Sequence, residues 1–443
     1  MIKPSKSSIL LVAALAVATS GCGIMKKKQV KTPSFGERIA ILTSEGEIEV
    51  DPAVAAQPMV LPEAVANTEW AQAGGNATKS MGQLALGTSL GEAWRTTVGR
   101  GSTIASRLTS PPVVADGRVY TVDTAGTVRA SDASTGAALW SLQTPSDKGN
   151  GAAMYGGGVA FEGGKVFATN GLGHVVAIDA ATGASQWQIR PGGPLRGAPS
   201  VANGTLYVMS QDNQLYSIAT ADGKINWSAA AALQIAGVLG SASPAVGAGT
   251  VVAGFSSGEL NAYRYENGRQ VWQDTLERTS INTAVSTLSD VDASPVIDTG
   301  QVYAVGQGGR LVALELTTGQ RLWEANIAGI STPWVAGDWL FVLTDNARII
   351  CFSRLNGHVR WINQLQAFRK VKTKKGQIDY YGPVLAGGRL IVVGNNGGLL
   401  NFDPENGSFQ SQISIGTAIS VPPAVANNTL YVLDDKAQLH AFR

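Results

Sequence analysis

Cysteine and histidine are almost missing from this chain. Its 443 residues hold two cysteines, Cys22 and Cys351, and three histidines, His174, His358 and His440, no two of them close in sequence. That scarcity excludes a disulfide framework, and it leaves no Cys or His spacing of the kind that binds zinc. Carboxylates are scattered rather than grouped as in a calcium loop, so the sequence assembles neither a metal centre nor an acid–base triad. Charge is scarce as well. Charged residues make up 15%, and setting aside Lys3 and Lys6 takes the 34 basic residues to 32, level with the 32 acidic ones. A balanced chain lacks the basic excess that nucleic acid demands. The apolar run from Ile9 to Ala18 is too short to cross a bilayer as a helix. Glycine strings such as Gly156-Gly157-Gly158 and Gly171-Leu172-Gly173 fall in strand turns and open no helix, which excludes a phosphate-binding loop.

Glycine itself is abundant, with 53 residues beside 44% hydrophobic content, a composition of many short strands joined by tight turns. Beyond residue 80 the chain repeats itself. Pro112-Val113-Val114-Ala115-Asp116-Gly117-Arg118-Val119-Tyr120 aligns residue for residue with the segments 295–303 and 383–391. Each copy runs through a turn into an alternating strand, then a Thr-Gly turn, then a strand bearing tryptophan. Gly-x-x-x-Trp endings place Trp140, Trp187, Trp227, Trp272, Trp323 and Trp361 at spacings of 38 to 51 residues, the length of four short strands. A seventh unit has Ser411 where the tryptophan belongs. One four-stranded sheet cannot hide both faces, so the units stack radially, and one indole per unit packs between neighbours with its N–H on a backbone acceptor.

The last unit reaches Arg443 without its fourth strand, while Ala93 to Val98, carrying Trp94, forms a strand with no unit of its own. If that strand completes the last sheet, no edge stays open. The expected fold is all-β, an eight-bladed propeller of four antiparallel strands per blade, closed by an N-terminal strand. Residues 81–443 form the propeller and 22–80 an irregular tether and linker, partly ordered near Trp70.

Residues 1–21 read as an export signal, with Lys3 and Lys6 before the apolar run. Thr19-Ser20-Gly21-Cys22 resembles the lipobox of bacterial lipoproteins, with Thr19 where an aliphatic is usual. The resemblance implies acylation of Cys22, and Gly23 rather than Asp after it implies the outer membrane, with the mature chain facing the periplasm. Lys26, Lys27 and Lys28 follow. Cys351, among Ile349, Ile350 and Phe352, reads as a buried small hydrophobe.

The repeat consensus, as in Ala177 to Trp187, resembles that of quinoprotein alcohol dehydrogenases and specifies fold more than activity. A signal for lipidation, a bare propeller and two loops together resemble the BamB family, lipoproteins of the outer-membrane β-barrel assembly machinery. Gly193-Pro194-Leu195-Arg196-Gly197 is similar to that family's Leu-x-Leu-Arg loop, with Gly193 in place of the first Leu. Leu288-Ser289-Asp290-Val291-Asp292 is similar to its Leu-Ser-Asp-Val-Asp loop. The resemblance implies a non-catalytic scaffold without cofactor or metal, binding a POTRA domain of a BamA-like partner through Leu195, Arg196, Asp290 and Asp292. It also implies assistance to nascent outer-membrane proteins.

From the residues alone, Leu195 and Arg196 offer an apolar anchor and a forked donor, and the two aspartates offer acceptors. The alternative is that the aspartates cap turns and Arg196 pairs with them internally. The basic stretch Arg369-Lys370-Val371-Lys372-Thr373-Lys374-Lys375 lies in a long connection, either solvated or facing an acidic partner or anionic lipid. A quinone-dependent enzyme and a cell-wall or polysaccharide binder remain as alternatives.

Overall fold

The computed structural model describes residues 48–147, 149, 154–233, 242–276 and 290–443. Cys22, Gly23 and the lysines at 26–28 lie outside the described residues, as do Leu288 and Ser289. Eight four-stranded antiparallel sheets follow along the chain: 113–143, 159–189, 195–230, 245–275, 296–325, 334–364, 380–414, and 424–442 completed by Glu92–Thr97. They are numbered here as blades 1 to 8. The completing strand pairs antiparallel with Gln438–Phe442, so the sheet formed last borrows its outer strand from the start of the ring. His440 fixes that seam with its ring Nδ1 2.7 Å from Glu92 Oε1.

Turn chemistry sets each blade. The first hairpin of blades 1 and 3 turns on two left-handed residues, Asp116-Gly117 and Asn203-Gly204. Blade 4 uses Ala248, exposed at φ +45°, where an L residue without a short polar side chain is strained. Ala248→Asn is therefore expected to raise stability by about 0.5–1 kcal/mol, read as a higher urea midpoint with unchanged slope. At the third hairpin of blade 1, Asp132 Oδ1 accepts from Thr135 Oγ1 and from the backbone N–H groups of Ser134 and Thr135, all at 2.9 Å. Those bonds, the Thr135 hydroxyl first, hold the Asp132 carboxyl below its ordinary range. Asp179 repeats the arrangement with Thr182.

The tryptophans join one blade to the next. Each of Trp94, Trp140, Trp187, Trp227, Trp272, Trp323 and Trp361 donates its indole N–H to a backbone carbonyl in the turn between the third and fourth strands of the following blade, at 2.7–3.3 Å. Their rings lie so close over the turn glycines, Gly136 under Trp94 and Gly319 under Trp272 among them, that a Cβ there would collide. Ser411 breaks the pattern for a topological reason. The blade after it is blade 8, whose third and fourth strands are not consecutive, so it has no such turn for an indole to cover. Hydrophobic clusters fill the spaces between successive sheets, as where Val113, Tyr120 and Val128 of blade 1 meet Val159, Phe161 and Val166 of blade 2.

Residues 48–80, read from the sequence as the end of a tether, are built into this body, and 48–443 form one compact unit. A one-turn helix α1 (Pro52–Ala55), capped by Asp51, packs on blade 6, where Arg360 donates to the Val54 and Gln57 carbonyls. The chain then makes a circuit inside the ring. Asn67 bonds blade 8 at Val425 and Asn427, Trp70 bonds Val114 of blade 1, and Ala71 bonds Phe161 of blade 2. Gln72 bonds Val201 of blade 3, Ala77 bonds Val246 of blade 4, and Thr78 bonds Ile297 of blade 5. Gly82 accepts from the Trp334 indole of blade 6, and Leu84 bonds Leu385 and Gly387 of blade 7. The innermost strand of a blade has one unpaired edge, and buried N–H and C=O groups left without partners are costly. This belt supplies partners to all eight blades in ring order.

Candidate functional site

The belt closes one end of the central channel and leaves a cavity of about 450 Å³ that opens at the other end. Trp70, Ala73, Gly74 and Lys79 form its floor, with Trp70 stacked on Trp334 at 6.2 Å. The mouth is lined largely by the connections that enter innermost strands, among them Ile104, Arg107, Asp292 and Ile330, together with Gln307 from a hairpin of blade 5 and Tyr381 from the innermost strand of blade 7. Ile104 is fully exposed there and Arg107 is exposed.

Both sequence-singled loops come to this end of the ring, and their residues meet. Arg196, at the start of the innermost strand of blade 3, reaches past blade 4 to the segment leading into blade 5. Its Nη2 lies 2.8 Å from Asp290 Oδ1 and 3.3 Å from Asp292 Oδ1. Gln307 Nε2 donates to the other Asp292 oxygen at 2.8 Å. Val291 between the aspartates sits against Gly254 of blade 4, where a Cβ would fall 2.4 Å from its methyl carbon. Leu195, Arg196, Asp290 and Asp292 are all buried, with Asp292 on the cavity wall. The internal pairing left open by the sequence is thus present: Arg196, Asp290 and Asp292 form a strut across the channel end, Leu195 packs into the core between blades 2 and 3, and none of the four projects into solvent.

One guanidinium facing two carboxylates leaves excess negative charge. Burial, then the neighbouring Asp290, raises the Asp292 carboxyl well above its ordinary value against the pull of Arg196. Asp345 nearby is raised to about 6 by burial and by Asp379, and the Tyr381 hydroxyl to about 12 by burial. On the floor, Lys79 donates to Ser200 Oγ at 3.0 Å and Gln72 Oε1 at 3.3 Å, and burial lowers its amine to about 7. Composition and motif gave no signal for Lys79 or Ile104, which line one cavity only once the ring has formed.

Among the described residues no three His, Cys, Asp or Glu side chains gather as metal ligands. Cys351 is buried and its thiol is pushed up by that burial, so it is held as the inert thiol. The mouth, with Arg107 and Tyr381 set among Ile104, Ile330, Pro422 and Pro423, mixes apolar and polar side chains as a docking surface does.

The family model described as "Outer membrane protein assembly factor BamB" matches residues 83–154 and 146–363, more than half the chain and both loops of the strut. The chain belongs to the BamB family. Curated BamB relatives include those of Moranella endobia (strain PCIT), 27% identical over 335 residues covering 74% of this chain and 84% of the relative. The relative from Escherichia coli (strain K12) is 28% identical over 345 residues, covering 77% and 85%. Among solved structures, BamB from Moraxella catarrhalis matches with a TM-score of 0.67 at 17% identity, over 80% of this chain and 100% of that one. A europium-containing methanol dehydrogenase matches with the same TM-score of 0.67 at 14% identity, over 82% and 89%. At such identities the likeness to either structure is one of fold.

Proposed function

We propose that this chain is a non-catalytic scaffold of the outer-membrane β-barrel assembly machinery, lipid-anchored through Cys22 and facing the periplasm. Its open rim binds a POTRA domain of a BamA-like partner and so assists insertion of nascent outer-membrane proteins. The observation that carries this reading is the BamB family match across 83–363, which contains the two loops joined at the channel mouth. The strut residues act through shape: Arg196, Asp290 and Asp292 hold the mouth so that Leu195 and the surrounding backbone keep one outline.

Because Arg196 and Asp290 are buried against each other, their substitution does not separate docking from folding. Ile104, fully exposed at the same mouth, does. Ile104→Asp is expected to cut co-purification of the partner from mild detergent at least tenfold, about 1.4 kcal/mol, with an unchanged thermal melt. Retained co-purification would sink the assignment of this rim.

A second reading, a quinone-dependent enzyme, draws on the fold shared with the methanol dehydrogenase. Saturable binding of pyrroloquinoline quinone with Ca²⁺ by the purified chain would favour it over the scaffold.

A further inference from the structure

A hairpin outside every blade projects from the connection between blades 6 and 7. Phe368–Lys370 pairs antiparallel with Lys375–Gln377 through the single turn Val371–Thr373, forming a two-stranded sheet that no propeller strand joins. Its base is fixed: Arg369 Nη2 donates to the Asn395 carbonyl at 2.7 Å, and the Ile378 N–H to the Ala367 carbonyl at 2.9 Å. Its tip is free. Lys370, Lys372, Lys374 and Lys375 are exposed, and among the described residues none of them enters an ion pair.

Three features of the tip disfavour the hairpin taken alone. Lys370 stands directly opposite Lys375, a like-charge cross-strand pair. Lys374 holds a left-handed backbone at φ +49°, where Asn or Gly would be easier. Val371 is 65% exposed at the turn, between Lys370 and Lys372. A negative surface over the tip relieves the charge repulsion and covers the valine.

We propose that this hairpin rests on an anionic phospholipid surface. The choice of cation favours lipid over an acidic protein. Lysine is depleted at protein interfaces, where the planar fork of arginine is preferred, whereas a fluid layer of phosphate headgroups takes point charges on flexible stems. The single arginine here, Arg369, is spent on the hairpin base and the four lysines face outward. An apolar residue flanked by lysines also suits the headgroup boundary, where the cations meet phosphate and the methyl groups reach the acyl region. The inference does not rest on POTRA binding.

The test uses the full-length chain carrying Cys22→Ser, so that no acyl chain is attached, with vesicles of phosphatidylcholine alone or containing 30% phosphatidylglycerol. Anionic vesicles are expected to be bound more tightly, with an advantage that fades between 50 and 300 mM salt. Replacing Lys370, Lys372, Lys374 and Lys375 together by Gln is expected to remove at least about tenfold of that advantage, since each lysine near such a surface is worth several-fold. Val371→Ser should weaken binding further without changing its salt dependence. The melt of the quadruple variant should match or exceed the parent, because like-charge repulsion is removed. If the advantage survives the four substitutions, or is lost instead when Lys26, Lys27 and Lys28 are replaced, the proposal is overturned. It is overturned equally if the lysines matter for binding poly-glutamate but not for binding anionic vesicles.

Discussion

Arg196→Met is expected to destabilise the propeller by about 3–5 kcal/mol, the largest loss from any single side chain of the rim. Arg196 is buried and is the guanidinium lying between Asp290 and Asp292. Its removal leaves two carboxylates in a site that already disfavours charge on Asp292. The physical cause is desolvation, and the remedy follows from it. Adding Asp290→Asn and Asp292→Asn to Arg196→Met removes the stranded charges and is expected to recover most of the loss, because a buried ion pair replaced as a whole is often close to neutral. Urea unfolding of the single and triple variants reads both numbers. A loss below about 1 kcal/mol for the single change would mean that solvent reaches the strut.

Lys79→Met is expected to have the opposite sign. Lys79 lies buried on the channel floor, where its partners among the described residues, Ser200 and Gln72, are neutral, and its amine sits at about 7 instead of 10.5. A base whose folded value is depressed binds fewer protons in the native state across that interval, so wild-type stability rises as pH climbs from 7 toward 10.5. Below pH 7 both states are protonated and the full penalty stands. From the depressed amine, the wild type should gain roughly 3 kcal/mol between pH 7 and 9.5, and the methionine variant should not. At pH 7 the variant should be more stable by about 2–4 kcal/mol, allowing for two lost hydrogen bonds. Parallel denaturant titrations at the two pH values measure both. Identical pH profiles would show that Lys79 is not the titrating group.

The blades were legible because each is written by local rules. Asp132-x-x-Thr135-Gly136 is a turn wherever it occurs, since the carboxylate collects its hydrogen bonds from within four residues. Trp140 marks a blade edge because its indole covers the glycine of the next turn. The break at Ser411 is local in sequence, but its cause, the missing turn at the seam, belongs to the closed ring. The rim was partly legible: the two loops stand out as segments and their opposite charges make internal pairing one of two readings, yet neither segment decides between a pair buried in the ring and side chains presented to a partner.

What the sequence determined by itself was therefore the repeat, the blade number and a strand near 93–98 left over to complete the last sheet, all consequences of period-two alternation and short-range turn chemistry; the structure sets that strand at Glu92–Thr97. Tertiary structure alone decided the role of residues 60–85. That stretch shows neither a strand nor a helix period, because nearly every few residues answer to a different blade: Trp70 to Val114, Gln72 to Val201, Ala77 to Val246, Leu84 to Leu385. A segment whose partners change as it circles the channel has no reason to repeat. Its pattern exists only once eight unpaired strand edges face a common axis.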